Sequence, residues 1–343
     1  MIAKIAAAAV ALSLCLTGVA MANPTYHLLS FEDLNGWQDD DHQAALDVFA
    51  STCRDMKQPD WKALCALAHE GQEAKAFFER FFYPVLIDDG EDALFTGYFE
   101  PELRGARAQG GPYQYPLYRL PSDIPAPWLT RREIEETTAL DGQGLEIAWI
   151  DNPVDVFFLQ VQGSGRVRLP DGDVIRVGYA GANGRDYSSV GLELVRRGVF
   201  QAHQVSADVI RNWVTSNPED GRELLWTNDS YVFFREVNEV PPELGPLGAM
   251  NRSVTTMRTL AIDPAYIPLG APVWMEKEGR DPLNRLMVAQ DTGSAIKGSQ
   301  RADVFFGTGA EAGRQAGRIK DGGRLVVLMP IQQALAFLPD VIE

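Results

Sequence analysis

The chain has 343 residues, 45% of them hydrophobic, which is enough for one large domain or two of medium size. Its formal net charge of −16 argues against nucleic acid as a partner and against simple adhesion to an anionic polymer or membrane. Any polymer substrate has to be held by shape, hydrogen bonds and stacking.

Taken in chain order, the first 22 residues have the pattern of an export signal. Lys4 supplies the positive charge, residues 5–16 form an alanine-rich apolar run, and Ala20-Met21-Ala22 is a small-x-small cleavage site. Cys15 follows Leu14, where a lipid-attachment signal needs a small residue, so cleavage without lipidation is the expectation. Export to an oxidising compartment favours a bridge between Cys53 and Cys65, the two cysteines left after cleavage. Both fall in helical patterns, over 42–56 and 59–82, broken at Gln58-Pro59, so the bridge staples a helical hairpin. With two cysteines and four histidines (His27, His42, His69 and His203), none of them in the C-terminal third, no metal site is expected and a histidine-based triad is disfavoured.

From about residue 93 the pattern becomes β. Strands are predicted over 93–99, 113–118, 147–150, 154–162 and 174–179, with Pro170-Asp171-Gly172-Asp173 as a turn. Helical patterns follow over 188–197, 207–217 and 218–226, then a strand over 230–234. Pro241-Pro242, Gly245-Pro246 and Gly248 mark a boundary. Beyond it lie short strands over 258–262, 271–275, 286–289, 303–306 and 324–329, and one helix over 311–316. The fold class is mainly β with N-terminal helices, in a barrel-like arrangement.

The stretch 286–307 carries the strongest chemical signal, two aspartates at strand ends joined by a glycine-bearing loop. Asp291-Thr292-Gly293-Ser294 matches the aspartic-protease tetrapeptide, but that chemistry needs a second copy and none is present; the nearest, Asn228-Asp229-Ser230-Tyr231, lacks the glycine. Ser294-Ala295-Ile296-Lys297 matches Ser-x-x-Lys, yet the chain has no Lys-Thr-Gly to accompany it. Asp303 heads an apolar strand, where desolvation and a neighbouring Asp291 would favour a general acid; the alternative is an aspartate that merely caps the strand. Asp263, in Ile262-Asp263-Pro264, is expected to form a turn.

Three clusters have the composition of sugar contacts: Thr96, Tyr98 and Glu100; Gln160, Gln162 and Ser164; Tyr179 and Asn183. Lys297 in the connecting loop joins them as a candidate substrate contact. Each cluster alone could equally be a tight turn whose glycines supply positive φ.

Taken together, these residues resemble the membrane-bound lytic murein transglycosylase A family with its C-terminal three-aspartate domain. The matching pieces are Phe95-Thr96-Gly97-Tyr98-Phe99-Glu100-Pro101, residues 155–165, residues 179–184, Tyr231-Val232-Phe233-Phe234, residues 245–249, residues 260–270, residues 289–298 and residues 302–307. The resemblance implies a double-psi β-barrel, residues 23–102 and 236–343, with a smaller β-barrel domain inserted at 103–235 and a glycan groove between them. It implies cleavage of the β-1,4 bond between N-acetylmuramic acid and N-acetylglucosamine, giving a 1,6-anhydro product. By the same resemblance Asp303 is the acid/base and Asp291 its support, Asp263 is the third aspartate, and no cofactor is needed. Partners would be peptidoglycan glycan strands and proteins of wall synthesis or division; a periplasmic or outer-membrane location and a monomer are expected. A two-carboxylate hydrolase, using Asp303 with Asp291 or Glu100, and a non-catalytic peptidoglycan binder stay open. The chain departs from the family pattern in having one extra residue between Gly298 and Asp303.

Overall fold

The computed structural model describes residues 24–337 apart from residue 138, so the expected export signal lies outside the described residues. The N-terminal apolar pattern resolves into three helices. The first, His42–Cys53, is capped by Asp41, whose carboxylate accepts the Ala44 amide at 3.1 Å. The second, Pro59–Ala68, begins on a proline whose missing N–H needs no partner there. Cys53 and Cys65 are bonded to each other at 2.09 Å and staple the pair. The pattern read as one helix over 59–82 is two, the later being Ala74–Phe81, after which Phe82–Asp88 continues as a strand.

These helices cover a nine-stranded sheet. Its order is Thr25–Leu28, Phe82–Asp88, Gly323–Pro330, Pro272–Lys277, Leu283–Asp291, Thr259–Ile262, Arg301–Thr308, Leu94–Glu100 and Lys320–Asp321. Two pairings are parallel: Thr259–Ile262 with Leu283–Asp291, and Arg301–Thr308 with Leu94–Glu100. Phe49, Trp61, Phe78, Trp274, Met287 and Leu325 centre the core beneath it.

Residues 102–236 build a second, six-stranded sheet in the order Tyr115–Tyr118, Glu146–Ile150, Glu102–Ala106, Ser164–Arg168, Val174–Ala182 and Val232–Glu236. A bridge between Arg119, just past Tyr115–Tyr118, and Phe234 links its two edge strands. The architecture is thus mainly β with several helices. Among the described residues no helix is long and apolar enough to cross a membrane.

One predicted strand is wrong. Pro153–Gln162 is an α-helix, started by Asn152, whose side chain accepts the Val154 amide at 3.0 Å, and ended by Gly163 at φ +77°. Its sides face two separate cores. Val156 and Leu159 pack into the six-stranded sheet, while Val154 and Phe157 pack against the helices Val190–Arg196, Ala207–Ser216 and Pro218–Leu225. The two sheets are locked by Glu100. Its buried carboxylate accepts from Arg166 at 2.9 Å, from Arg176 at 2.7 and 2.9 Å and from Thr308 Oγ1 at 2.8 Å.

Candidate active site

Four strand pairings set one residue from each of five strands in a single line. Lys320 pairs with Thr96, Thr96 with Asp303, Asp303 with Ala261, and Ala261 with Asp291. Directly paired residues project to the same side of a sheet, so the two aspartates share a face. They stand two strand spacings apart, about 10 Å between backbones. Between them Ala261 contributes only a methyl group, which leaves the floor open. Ala261, Asp291 and Asp303 line a cleft of about 240 Å³.

Asp303 is anchored on one oxygen. Arg301 Nη1 donates to Oδ1 at 2.6 Å, and the Thr96 hydroxyl donates to the same atom. Among the described residues Oδ2 has no partner, and the side chain is 18% exposed. Asp291 is held differently. Its Oδ1 accepts the amides of Ala249 and Thr292, each at 2.9 Å. Burial pushes its carboxyl up to about 6, against the opposing pull of those two amides and of Tyr98, and the Asp303 charge adds to the rise. The desolvated carboxyl is therefore Asp291, whereas Asp303, expected to be the desolvated one, has an ion pair.

The Tyr98 hydroxyl is buried beside both aspartates. It lacks a partner in hydrogen-bond geometry, although the Asp291 carboxylate is its strongest charged neighbour. Burial and that charge hold its pKa well above the ordinary tyrosine value, so it stays a neutral phenol.

Two glycines make room for this arrangement. A Cβ on Gly248 would lie 3.2 Å from the Asp291 carboxyl carbon and 2.8 Å from the Gln290 carbonyl oxygen. A Cβ on Gly97 would lie 2.7 Å from Ala316 Cα, where the helix Gly309–Ala316 crosses the strand.

The opposite wall comes from residues 131–232, including Arg131, Gln160, Val161, Gln162 and Tyr187. The buried Arg131 guanidinium donates to Gln160 Oε1 at 2.5 Å and to the Ser230 carbonyl at 2.7 Å, which orients the amide. Gln162 Oε1 accepts the Phe99 amide at 3.0 Å and ties the helix to the strand of Thr96 and Tyr98. A second cleft of about 420 Å³ shares Gly97, Val161 and Gln162 with the first.

Known proteins resemble this chain in sequence and fold. Residues 94–235 match the family model of the MltA specific insert domain, and residues 258–329 match that of the 3D domain. The membrane-bound lytic murein transglycosylase A of Vibrio cholerae is 36% identical over 252 residues, 69% of this chain and 66% of that relative. The chain thus matches about two thirds of that relative's length. The crystal structure of membrane-bound lytic murein transglycosylase from Agrobacterium tumefaciens matches with a TM-score of 0.82 at 31% identity, over 92% of this chain and 100% of that one. The chain belongs to the membrane-bound lytic murein transglycosylase A family. A crystal structure of Escherichia coli MltA with bound chitohexaose matches with a TM-score of 0.72 at 26% identity, over 89% of this chain and 94% of that one.

Within this member of the transglycosylase A family, the expected site residues divide. Tyr98, Gln160, Gln162, Asp291 and Asp303 line one cleft, and Thr96 touches Asp303. Glu100 does not reach it, because its carboxylate is consumed by two arginines between the sheets. Asn183 is buried with its amide spent on backbone: it donates to the Leu129 and Asp229 carbonyls, both at 2.8 Å, and accepts from Tyr231 at 2.9 Å. Ser164 is buried in a strand opposite Gly178, and Tyr179 is 57% exposed; neither lines the cleft. Lys297 is exposed, 3.8 Å from Asp263, whose carboxylate accepts the Ala265 amide at 3.1 Å and the Gly298 amide at 3.0 Å.

Sequence reasoning missed Arg301, Arg131 and Ala261. A signal for the first was present: in a strand, residues two apart share a face, so Arg301-Ala302-Asp303 already set a guanidinium beside the acid.

Proposed function

We propose that this chain cleaves the β-1,4 bond between N-acetylmuramic acid and N-acetylglucosamine in peptidoglycan strands, with Asp303 as the single acid/base. A proton passes from Asp303 Oδ2 to the glycosidic oxygen as the bond from that oxygen to C1 breaks. The carboxylate then takes the proton of the muramic acid's own C6 hydroxyl as that oxygen bonds to C1. The product is a 1,6-anhydro end, water enters neither step, and Asp303 finishes protonated as it began. The nucleophile is tethered to the reacting carbon, so its effective concentration is high. Asp291, enclosed and neutral below about pH 6, supports the loop and limits charge beside Asp303.

The observation that carries this reading is Asp303 in a cleft between the two sheets, one oxygen gripped by protein and the other open. A relative's complex with chitohexaose, a β-1,4-linked aminosugar chain, supports a glycan in the cleft. The nine-stranded sheet, with residues 23–102 and 236–343, is assigned to the double-psi barrel domain, and residues 103–235 to a smaller inserted barrel. The limits of the two family models and the Arg119–Phe234 bridge support that division. An exported protein working on the wall from the periplasm fits both the substrate and the relatives' description as membrane-bound.

Digestion of purified sacculi followed by mass analysis tests the reaction. Anhydro-muropeptides are expected, and Asp303→Asn should remove about 10²–10⁴ of the rate. Reducing-end products would instead assign a hydrolase using Asp303 with Asp291 as its two carboxylates. Binding without release would reduce the protein to a wall-binding module.

A further inference from the structure

The connection that follows Gly298 ends at Arg301, the first residue of the strand Arg301–Thr308. Its side chain is 14% exposed and is engaged at both ends of its fork. Nη1 donates to Asp303 Oδ1 at 2.6 Å and Nη2 donates to Thr96 Oγ1 at 2.8 Å. Thr96 Oγ1 in turn donates to the same Oδ1, which closes a ring of three hydrogen bonds. On the far side, the carbonyls of Ala302 at 2.7 Å and Leu94 at 3.3 Å accept from Nη1. Backbone therefore fixes the guanidinium, and the guanidinium with Thr96 fixes the carboxylate.

We propose that Arg301 is a positioning residue for this reaction: with Thr96 it commits Asp303 Oδ1 to the protein, so that Oδ2 alone exchanges the proton with substrate. The inference rests on Asp303 being the acid/base. Its physical content is rotational. A carboxylate bonded twice on one oxygen cannot turn about its Cβ–Cγ bond without breaking both bonds. An unheld one in a cleft of this size would present either oxygen at several angles. General acid catalysis needs the acidic oxygen within hydrogen-bond reach of the leaving oxygen, about 2.6–3.2 Å, so fixing the rotamer raises the fraction of bound glycan in reactive geometry.

The other polar groups around Asp303 do not duplicate this role. Asp291 stands across Ala261 and is anchored on the Ala249 and Thr292 amides. The Tyr98 phenol lacks a partner, and Lys320, exposed at the end of the row, lies beyond Thr96. Among the described residues, Arg301 is the cation in contact with Asp303. A lysine at 301 would bring a point charge but not two donors in one plane, so the conservative replacement should not restore the geometry.

The test compares full-length Arg301→Ala, Arg301→Lys and Thr96→Val with the parent and with Asp303→Asn. The readings are kcat and KM on soluble glycan strands, the Kd for chitohexaose, and the thermal midpoint. Expected for Arg301→Ala is a fall in kcat of about 10²-fold, the effect of a misplacement near 1 Å, with KM, Kd and midpoint little changed. Free guanidinium ion should restore part of that kcat where sodium chloride at equal ionic strength does not, and Arg301→Lys should stay impaired. Wild-type kcat in Arg301→Ala, or a loss residing in KM, in Kd or in the folded fraction, overturns the inference. If Asp303→Asn stays active, the acid/base assignment fails instead, whatever Arg301 does.

Discussion

Asp291 shows how much a single residue's surroundings decide. Its tetrapeptide matched a protease motif, yet the structure uses the carboxylate as an acceptor for the Ala249 and Thr292 amides. The Gly245-Pro246-Leu247-Gly248-Ala249 segment delivers one of those amides, and Gly248 leaves space for the carboxyl group. Burial raises this acid from 3.8 to about 6, so the folded chain holds a proton that the unfolded chain releases. The sign follows: stability present at pH 4 is lost as pH rises towards 6, by roughly 3 kcal/mol. Asp291→Asn keeps an oxygen for both amides and removes the charge. Urea unfolding should find it close to the parent at pH 4 and more stable at pH 8; equal stability at both would remove the burial argument. Both aspartates stood out in the sequence, and the resemblance already ranked them, but which carboxyl is desolvated was not legible. It depends on Arg301 reaching Asp303 and on a loop 42 residues away capping Asp291.

Most strands and helices could be placed from the sequence, the amphipathic helices by their one apolar side and the central strands, buried on both faces, by short apolar runs. The helix Pro153–Gln162 has two apolar sides. Val156 and Leu159 serve one core while Val154 and Phe157 serve another, and the resulting run of valine and phenylalanine has the composition of a buried strand. Asn152, Pro153 and Gly163 are helix signals at both ends that the strand reading leaves unused. The misreading matters for the site, because Gln160 and Gln162 project from this helix into the cleft. Asn152→Ala removes the acceptor for the Val154 amide and should lower stability by about 1 kcal/mol. Thermal denaturation measures this, and KM for glycan should rise with it if the cap holds the cleft wall in place. An unchanged midpoint would show the two cores hold the helix without its cap.

For the molecule as a whole, the six-stranded sheet ends at Glu236, close to the Pro241-Pro242 punctuation in the sequence, whereas the lock between the sheets has no such mark. Glu100 meets Arg166 and Arg176 from 66 and 76 residues away, a relation without local signature. The same glutamate was expected to touch sugar. Removing a buried carboxylate that neutralises two guanidinium groups leaves both charges stranded, so Glu100→Ala should cost about 3–5 kcal/mol. Calorimetry would read this as a lowered midpoint, and a variant as stable as the parent would dissolve the lock. If the variant folds, Asp303 and Asp291 stay in their strands, but the wall holding Gln160 and Gln162 is no longer fixed against them.

The line from Thr96 through Asp303 and Ala261 to Asp291 also bears on when activity can arise. Thr96 and Asp303 are 207 residues apart, and every member of the line is set by strand register. A slip of one residue in Arg301–Thr308 would turn Asp303 to the opposite face and point Ala302 or Val304 into the cleft. A partly paired chain therefore carries no diluted version of the site. For a protein whose chemistry would breach the wall around the cell that makes it, the sheet itself works as a safety catch, released only when strands 207 residues apart in the chain have paired.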